Sequence, residues 1–212
     1  MTSLFSQWYI LTSFFTTPKQ EGFEMKPRVK IHVLDGGCLP KRQTDGAIGY
    51  DTYLRAVVSA TEMDPKNEVL RKTLFDFREI PVDQKVGRHV RKVGDKLVYR
   101  MDPGESVLVG IGFVTEMPFP LFYWVAPRSG LASRWGITVT NAPGTVDPDY
   151  RGEAGVLVYN RNTTPFDLEQ NMRIAQIIFQ EAVIPEIIQV RAFTDLDATP
   201  RGAGGFGSTG LK

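Results

Sequence analysis

The chain has 212 residues, of which 42% are hydrophobic and 23% are charged, and its formal net charge is +1. Its length and composition fit one globular domain with a substantial core, while the single cysteine, Cys38, excludes an internal disulfide and favours a cytoplasmic protein. The near-zero charge argues against a chain-wide attraction to anionic surfaces, so neither nucleic acid nor a membrane is expected as a partner.

Residues 1–24 begin with the apolar and aromatic stretch "MTSLFSQWYILTSFF". It has no basic residues before the apolar run and no small-residue cleavage site, and it is too short to cross a bilayer. We therefore expect a poorly ordered extension, or a segment upstream of a true start at Met25, rather than a signal peptide.

From Met25 the sequence contains short apolar runs separated by turn residues. "SVLVGIGFVTEM", "LFYWVAP" and "EAGVLVYN" are rich in β-branched and aromatic residues, and Gly, Pro, Asn or Asp recur between such runs. This spacing predicts an all-β domain over residues 25–200, with a distorted β-barrel or jelly-roll-like sandwich as its architecture.

Two stretches have helical features. One is the short "RSGLASRWG", and the other is "PKNEVLRKTLFDFREI", residues 65–80, in which Pro65 would occupy the first turn. The apolar face of this second predicted helix consists of Val69, Leu70, Thr73, Leu74 and Phe77.

Five stretches carry polar groups that strands alone would not require. They are "GAIGYDTYLRA" (46–56), "APRSGLA" (126–132), "NAPGTVDPDYRGE" (141–153), "MRIAQIIF" (172–179) and "RGAGGFGSTG" (201–210). In this order they resemble the five motifs of the trimeric dUTPase family, whose members split dUTP into dUMP and pyrophosphate. The resemblance covers residues 25–210 apart from one insertion, and the second, third and fifth motifs are near-complete matches.

The resemblance implies a phosphate site and a water-activating pair. A triphosphate carries about four negative charges, so attack at its α-phosphorus requires charge neutralisation and an oriented water. Asp147 would orient the attacking water and Gln176 would help to hold it. The implied phosphate-binding residues are Arg128, Ser129, Gly130, Arg201, Gly205, Ser208 and Thr209.

The third motif resembles the nucleoside-binding hairpin of the family. By position, Asn141 and Gly144 would contact the uracil, and Asp147 would also bond the sugar 3′-hydroxyl. Tyr150 would press its ring on the deoxyribose and leave no room for a 2′-hydroxyl. Phe206 of the glycine-rich segment 201–212, which is expected to be a mobile arm, would stack on the base.

A magnesium ion and a trimeric assembly also follow from the resemblance. Mg²⁺ prefers oxygen ligands, keeps several waters and can arrive with the phosphates, so Asp51 would assist it only through water. The implied homotrimer takes the first, second and fourth motifs of each site from one chain, the Asp147 hairpin from a second and the tail from the third.

Each motif alone has a plainer explanation. "PRSGLA" could be a surface turn, the Asp147–Asp149 stretch an ordinary Asp-Pro turn, Gln176 an outward-facing strand residue and the tail a disordered linker. It is their combination that favours the enzyme.

Residues 60–101 depart from the family pattern. Their ten basic residues exceed their seven acidic residues by three, and we expect a surface excursion built from a helix and a hairpin, with a partner-binding role left open.

Two other functions compete with dUTP hydrolysis. A related dCTP deaminase would need a glutamate where this chain has the apolar "GVLVYN", and a regulatory protein on the same scaffold would bind nucleotide without turnover.

Overall fold

The computed structural model describes residues 26–80 and 87–205. Within these residues the chain forms fourteen β-strands and one α-helix, which confirms the predicted all-β class. The first seven strands are β1 (Lys30–Val33), β2 (Tyr50–Tyr53), β3 (Ala56–Asp64), β4 (Asn67–Asp76), β5 (Val90–Val93), β6 (Lys96–Met101) and β7 (Ser106–Gly110). The remaining elements are β8 (Phe113–Glu116), β9 (Leu121–Pro127), α1 (Ser129–Trp135), β10 (Ile137–Val139), β11 (Gly144–Val146), β12 (Gly155–Asn160), β13 (Phe166–Glu169), β14 (Arg173–Glu181) and a 3₁₀ turn at Phe193–Asp195.

The strands form four antiparallel sheets. Their strand orders are β1–β8, β10–β12–β7–β3–β4, β11–β9–β14–β2 and β13–β6–β5. Strand pairing closes no barrel within the described part of the chain. The third of these, which we call the β9 sheet, contains or adjoins four of the five sequence motifs.

Alternating burial explains how these short strands build one core. In β9, Leu121, Tyr123 and Val125 are buried, while Trp124 between them is exposed. In β12, Val156 and Val158 are buried in the same alternating way. Because neighbouring side chains of a strand point to opposite faces, such strands place one face of each sheet against the shared core.

The predicted short helix is confirmed as α1. Leu131 is its buried residue and attaches it to the core, and Gly136 ends it with φ of 65°, a left-handed conformation that glycine adopts without steric cost. The helix begins directly after β9, so the backbone turns at Arg128.

The prediction of a helix over residues 65–80 is wrong. These residues contain β4, which pairs with β3 in an antiparallel hairpin. The tip of the hairpin is Asp64-Pro65-Lys66-Asn67, and the Asp64 carboxylate accepts a hydrogen bond from the Lys66 N–H at 2.8 Å. Asp and Pro at the first two positions of a β-turn are typical, so Pro65 marks a turn rather than the first turn of a helix.

Residues 60–101 are also more than the expected surface excursion. Phe75, Phe77, Val98, Tyr99 and Met101 are buried members of the main core. The predicted hairpin is confirmed, because β5 and β6 pair antiparallel, with Val93 opposite Lys96. Strand β6 then pairs with β13, so this region is built into the domain.

Candidate active site

The β9 sheet brings three of the sequence motifs to one end of one sheet. Gln176 of β14 lies opposite Asp51 of β2 on one side and opposite Ala126 of β9 on the other. Arg128 follows directly after β9. Antiparallel register therefore places motif residues that are far apart in the sequence beside one another.

An ion cluster formed by Asp51, Arg128 and Arg173 lies at this end. Arg128 Nε donates to Asp51 Oδ1 at 2.9 Å, and an Arg173 terminal nitrogen donates to Asp51 Oδ2 at 3.1 Å. Arg128 also donates to the main-chain carbonyl of Arg173 at 3.1 Å. Asp51 is buried while both arginine side chains are partly exposed. Two guanidinium groups against one carboxylate leave a net positive charge that suits an anionic ligand.

Sequence reasoning missed Arg173 as a member of this cluster. The available signal was its position immediately before the apolar run of β14, where an arginine side chain can reach the end of the neighbouring strand.

The side chain of Gln176 is held at the junction of β9 and β14. Its Nε2 donates to the Pro127 carbonyl at 3.0 Å. A β-carbon on Gly49 would collide with its Oε1, so the glycine leaves space for the amide oxygen. The amide is thus fixed beside Asp51 and Arg128, where it can bind a water or a phosphate oxygen.

Ser129 and Gly130 lie in the first turn of α1 and are exposed. A β-carbon on Gly130 would meet no atom within 4 Å, so this turn faces open space. The structure therefore places these two residues of the second motif at the surface next to the Asp51 cluster, accessible to a ligand.

The third motif, residues 141–153, which resembles a nucleoside-binding hairpin, contains β11 and a tight turn. Asn141 is exposed and its amide lies against Gly144, where a β-carbon would be 3.2 Å from Nδ2. The N–H of Tyr150 donates to the Asp147 carbonyl at 3.2 Å, which closes the loop at its tip. Asp147 is exposed, and the Tyr150 hydroxyl donates to the Glu153 carbonyl at 3.1 Å.

Within one chain, Asp147 is not brought to the Asp51 cluster. In the β11–β9 pair, Gly144 lies opposite Val125 and Val146 lies opposite Tyr123, so Asp147 follows toward the beginning of β9. Arg128 follows the other end of β9. Continuing this register sets Asp147 opposite Phe122, six residues from Arg128, so at about 3.3 Å per residue the two lie roughly 20 Å apart.

The fifth motif is only partly described. Arg201 and Gly205 are exposed, and Arg201 Nε donates to the Gly204 carbonyl at 2.8 Å. Phe206, Ser208 and Thr209 lie outside the described residues, as do residues 1–24. The expectations for these positions stay predictions.

A buried ion pair, also missed from the sequence, joins the first and third motifs. Arg55 follows β2 and Glu153 ends the third motif, and both are buried. Burial opposes the charge on Arg55, but the hydrogen bonds and the negative charge of Glu153 outweigh it and raise the pKa of the guanidinium. The pair links the connection between β2 and β3 to the end of the third motif.

A group of possible metal ligands outside the Asp51 cluster comprises His89, Asp102 and Glu105. Sequence reasoning missed this group as well. Both ring nitrogens of His89 already have partners: Nε2 lies 2.8 Å from Arg88 Nε, and Nδ1 lies 3.2 Å from the Arg100 carbonyl. Glu105 accepts from the Tyr99 hydroxyl at 2.8 Å. His89 and Glu105 therefore belong to a polar network beside the β5–β6 hairpin. Among the described residues, no helix is long and apolar enough to cross a membrane.

Comparison with known proteins identifies relatives of this chain. Residues 95–210 match the family model described as dUTPase. The deoxyuridine 5′-triphosphate nucleotidohydrolase of Nautilia profundicola is 49% identical over 108 residues, 51% of this chain and 74% of the relative. A solved mutant dUTPase of Staphylococcus bacteriophage 80alpha with dUpNHpp has a TM-score of 0.61 at 17% identity, covering 87% of this chain and 99% of the other. A mutant dUTPase of phage phi11, described with a structural Mg(II) ion, has a TM-score of 0.54 at 14% identity, covering 78% and 98%.

Proposed function

Because the chain belongs to the dUTPase family, we propose that the β9 sheet carries the site at which it splits dUTP into dUMP and pyrophosphate. The observation that carries this proposal is the convergence of Asp51, Arg128 and Gln176 at one end of that sheet. This end has a net positive charge, a fixed amide and an exposed first turn of α1, which together suit a triphosphate.

The phosphate chain binds over the Asp51 cluster. Arg128 and Arg173 neutralise the phosphate oxygens, and Asp51 keeps both guanidinium groups in place through its two oxygens. Ser129 offers a hydroxyl donor, and Gly130 allows close approach because nothing occupies the space beside it. Charge neutralisation of this kind stabilises the transition state of phosphoryl transfer.

Asp147 and Gln176 activate the attacking water. Asp147 accepts a proton as the water oxygen bonds to the α-phosphorus, and Gln176 orients that water with its amide. The bond between the α-phosphorus and its bridging oxygen breaks, and the electron pair leaves with pyrophosphate. Positioning and general-base assistance supply the rate enhancement.

The hairpin around β11 selects the nucleoside. Asn141 and Gly144 face the uracil with main-chain and side-chain hydrogen-bonding groups. Tyr150, tethered through its hydroxyl, lays its ring against the deoxyribose, where a 2′-hydroxyl would have no room. A pocket that leaves a polar group unpaired rejects the wrong nucleotide by several kcal/mol.

Each site is completed by other copies of the chain. Asp147 lies roughly 20 Å along β9 from Arg128 within one chain, which is too far for both to act on one phosphorus atom. A closed trimer brings the hairpin of one chain to the Asp51 cluster of the next, and the tail of the third, with Arg201, Gly205, Phe206, Ser208 and Thr209, covers the nucleotide.

Exposed apolar side chains near the C-terminus support this assembly. Seven large apolar residues that follow β14 are exposed, a density typical of association surfaces. They are Val183, Ile184, Ile187, Ile188, Val190, Phe193 and Leu196. Contact between chains through this segment would place the tail that follows it near a neighbouring site.

Magnesium would accompany the triphosphate. The residues present fit an indirect role, because both oxygens of Asp51 accept hydrogen bonds from arginine, and direct ligation would break both ion pairs. When bound, the ion neutralises phosphate charge and draws electrons from the α-phosphorus. Asp51 would hold one of its waters.

The lone thiol fits a reducing compartment. Cys38 is unpaired with any other cysteine because the chain has one, and its thiol donates to Asn171 Oδ1 at 3.2 Å. Reduced thiols persist in the cytoplasm, where we therefore place the enzyme.

The test is pyrophosphate release by the purified chain from dUTP, with dCTP and UTP as controls and with Mg²⁺ present or chelated. We expect release from dUTP alone and only with Mg²⁺. Ammonia release from dCTP, measured in parallel, would instead favour the related deaminase. Binding of dUTP without pyrophosphate release would favour a regulatory protein, and either outcome would overturn the proposal.

A further inference from the structure

A buried ion pair adjoins the hairpin that carries Tyr150. We propose that the Arg55–Glu153 pair positions Tyr150 and thereby sets the discrimination of deoxyribose from ribose, an inference that rests on the proposed function. Neither charged residue touches the substrate in this arrangement, so both are positioning residues.

The carboxylate of Glu153 accepts three hydrogen bonds. Oε1 accepts from Arg55 Nε at 2.8 Å and from the Gly112 N–H at 2.8 Å, and Oε2 accepts from an Arg55 terminal nitrogen at 2.6 Å. Glu153 is 1% exposed and Arg55 is 9% exposed. Bidentate pairing of this kind fixes orientation as well as distance.

Tyr150 is tied to the same residue through the main chain. Its hydroxyl donates to the Glu153 carbonyl at 3.1 Å, although 38% of the tyrosine is exposed. Between them, a β-carbon on Gly152 would collide with the Tyr150 hydroxyl. The position of the ring therefore follows the position of the Glu153 backbone, which the ion pair holds.

Strand β4 contacts both the ion pair and the segment that carries Tyr150. Both terminal nitrogens of Arg55 lie 3.5 Å from Thr73 Oγ1. The Val69 carbonyl would be 3.0 Å from a β-carbon on Gly152. The β3–β4 hairpin, which belongs to the region that departs from the family pattern, thus packs against the ion pair and against the hairpin that carries Tyr150.

An amide cannot replace the carboxylate without a shift. If the oxygen of a glutamine faces Arg55 Nε and Gly112, its NH₂ faces the Arg55 terminal nitrogen, which is also a donor. In the flipped orientation the NH₂ faces Arg55 Nε and the Gly112 N–H, which are both donors. Either orientation sets donor against donor at a buried position, so the backbone at Glu153 must move.

The experiment measures kcat/KM for dUTP and for UTP in the full chain and its variants. Glu153→Gln is expected to lower the dUTP-to-UTP ratio at least tenfold. Because this variant leaves the Arg55 charge incompletely paired, Tyr150→Phe serves as a second variant that removes only the tether and introduces no buried charge. We expect it to lower the ratio at least threefold.

Val98→Ala is the matched control for lost stability. Val98 is 1% exposed and lies in β6, whose pairing partners are β5 and β13. Loss of folded protein lowers both activities in proportion, so the control should lower the melting temperature and leave the dUTP-to-UTP ratio unchanged. An unchanged ratio in both Glu153→Gln and Tyr150→Phe, with an active parent chain, would overturn the positioning inference alone. A parent chain that does not hydrolyse dUTP would overturn the proposed function as well.

Discussion

The side-chain oxygen of Gln176 occupies the space in which a β-carbon on Gly49 would lie. Gly49 immediately precedes β2, and Gln176 lies opposite Asp51 in the register of β2 and β14. The loop before β2 therefore limits where the amide can lie, and it couples the first motif to the residue that we propose to hold the attacking water.

Gly49→Ala should separate activity from stability. The added methyl group meets the far end of a flexible side chain, so Gln176 can turn away at little cost in folding free energy, but its amide then leaves the water site. We expect turnover of dUTP to fall at least tenfold with the melting temperature nearly unchanged. Gly46→Ala is the control, since nothing lies within 4 Å of a β-carbon there, and equal activity of the two variants would contradict the role of Gln176.

Asp147→Asn tests the general base. Asp147 is exposed, so the change should leave the fold and dUTP binding nearly intact. Loss of a positioned base lowers turnover by about two to four orders of magnitude. Steady-state turnover at saturating dUTP measures this directly, and a variant that keeps half of the parent rate would refute the assignment.

Removal of residues 201–212 should abolish most activity without unfolding the protein. The described part of this segment, 201–205, is largely exposed, and the whole segment offers few apolar side chains to bury. Urea unfolding of the truncated chain should therefore give a free energy within about 1 kcal/mol of the parent. Full dUTP turnover by the truncated chain would show that the tail does not serve the site.

The raised pKa of Tyr123 predicts a loss of folding stability at alkaline pH. Burial raises the pKa of its hydroxyl to about 12, above the ordinary value near 10. Below pH 10 the hydroxyl is protonated in both the folded and the unfolded chain. Between pH 10 and 12 the unfolded chain releases the proton while the folded chain keeps it, so stability falls by on the order of 2 kcal/mol.

Tyr123→Phe should remove this contribution. Melting temperatures of the parent and the variant, measured at intervals from pH 8 to pH 11.5, should converge as the pH rises, because only the parent titrates at this position. Tyr99, whose pKa burial and the Glu105 bond also raise, is present in both proteins and cancels in the comparison. Parallel curves would contradict the assignment to Tyr123.

The sequence predicted the positions of the strands better than the pairing between them. Short apolar runs rich in β-branched and aromatic residues identified β9 and β12, because strand propensity and the turn residues that separate the strands are local properties. The helix predicted at residues 65–80 failed because the turn residues Asp64 and Pro65, which favour a hairpin, were assigned to the start of a helix.

Ion pairs could not be predicted from spacing. Arg55 and Glu153 are 98 residues apart in the chain, and Asp51 and Arg173 are 122 apart. Only the pairing of β2 with β14, and the packing of the hairpin beside β3 and β7, brings them together. Motif resemblance identified Asp51 and Gln176, whose positions match the family pattern, but it carried no information on these partners.

Because Asp147 and Arg128 lie toward opposite ends of β9, catalysis by both requires a site shared between chains. The most direct measurement mixes two inactive proteins, Asp147→Asn and the chain lacking residues 201–212, unfolds them together in equal amounts and refolds them. In randomly assorted closed trimers, three quarters contain both chains, and one site in three of those receives an intact hairpin and an intact tail. Hydrolysis of dUTP should recover to about a quarter of the parent activity. No recovery in mixtures shown to contain hybrid trimers would contradict a site assembled from three chains.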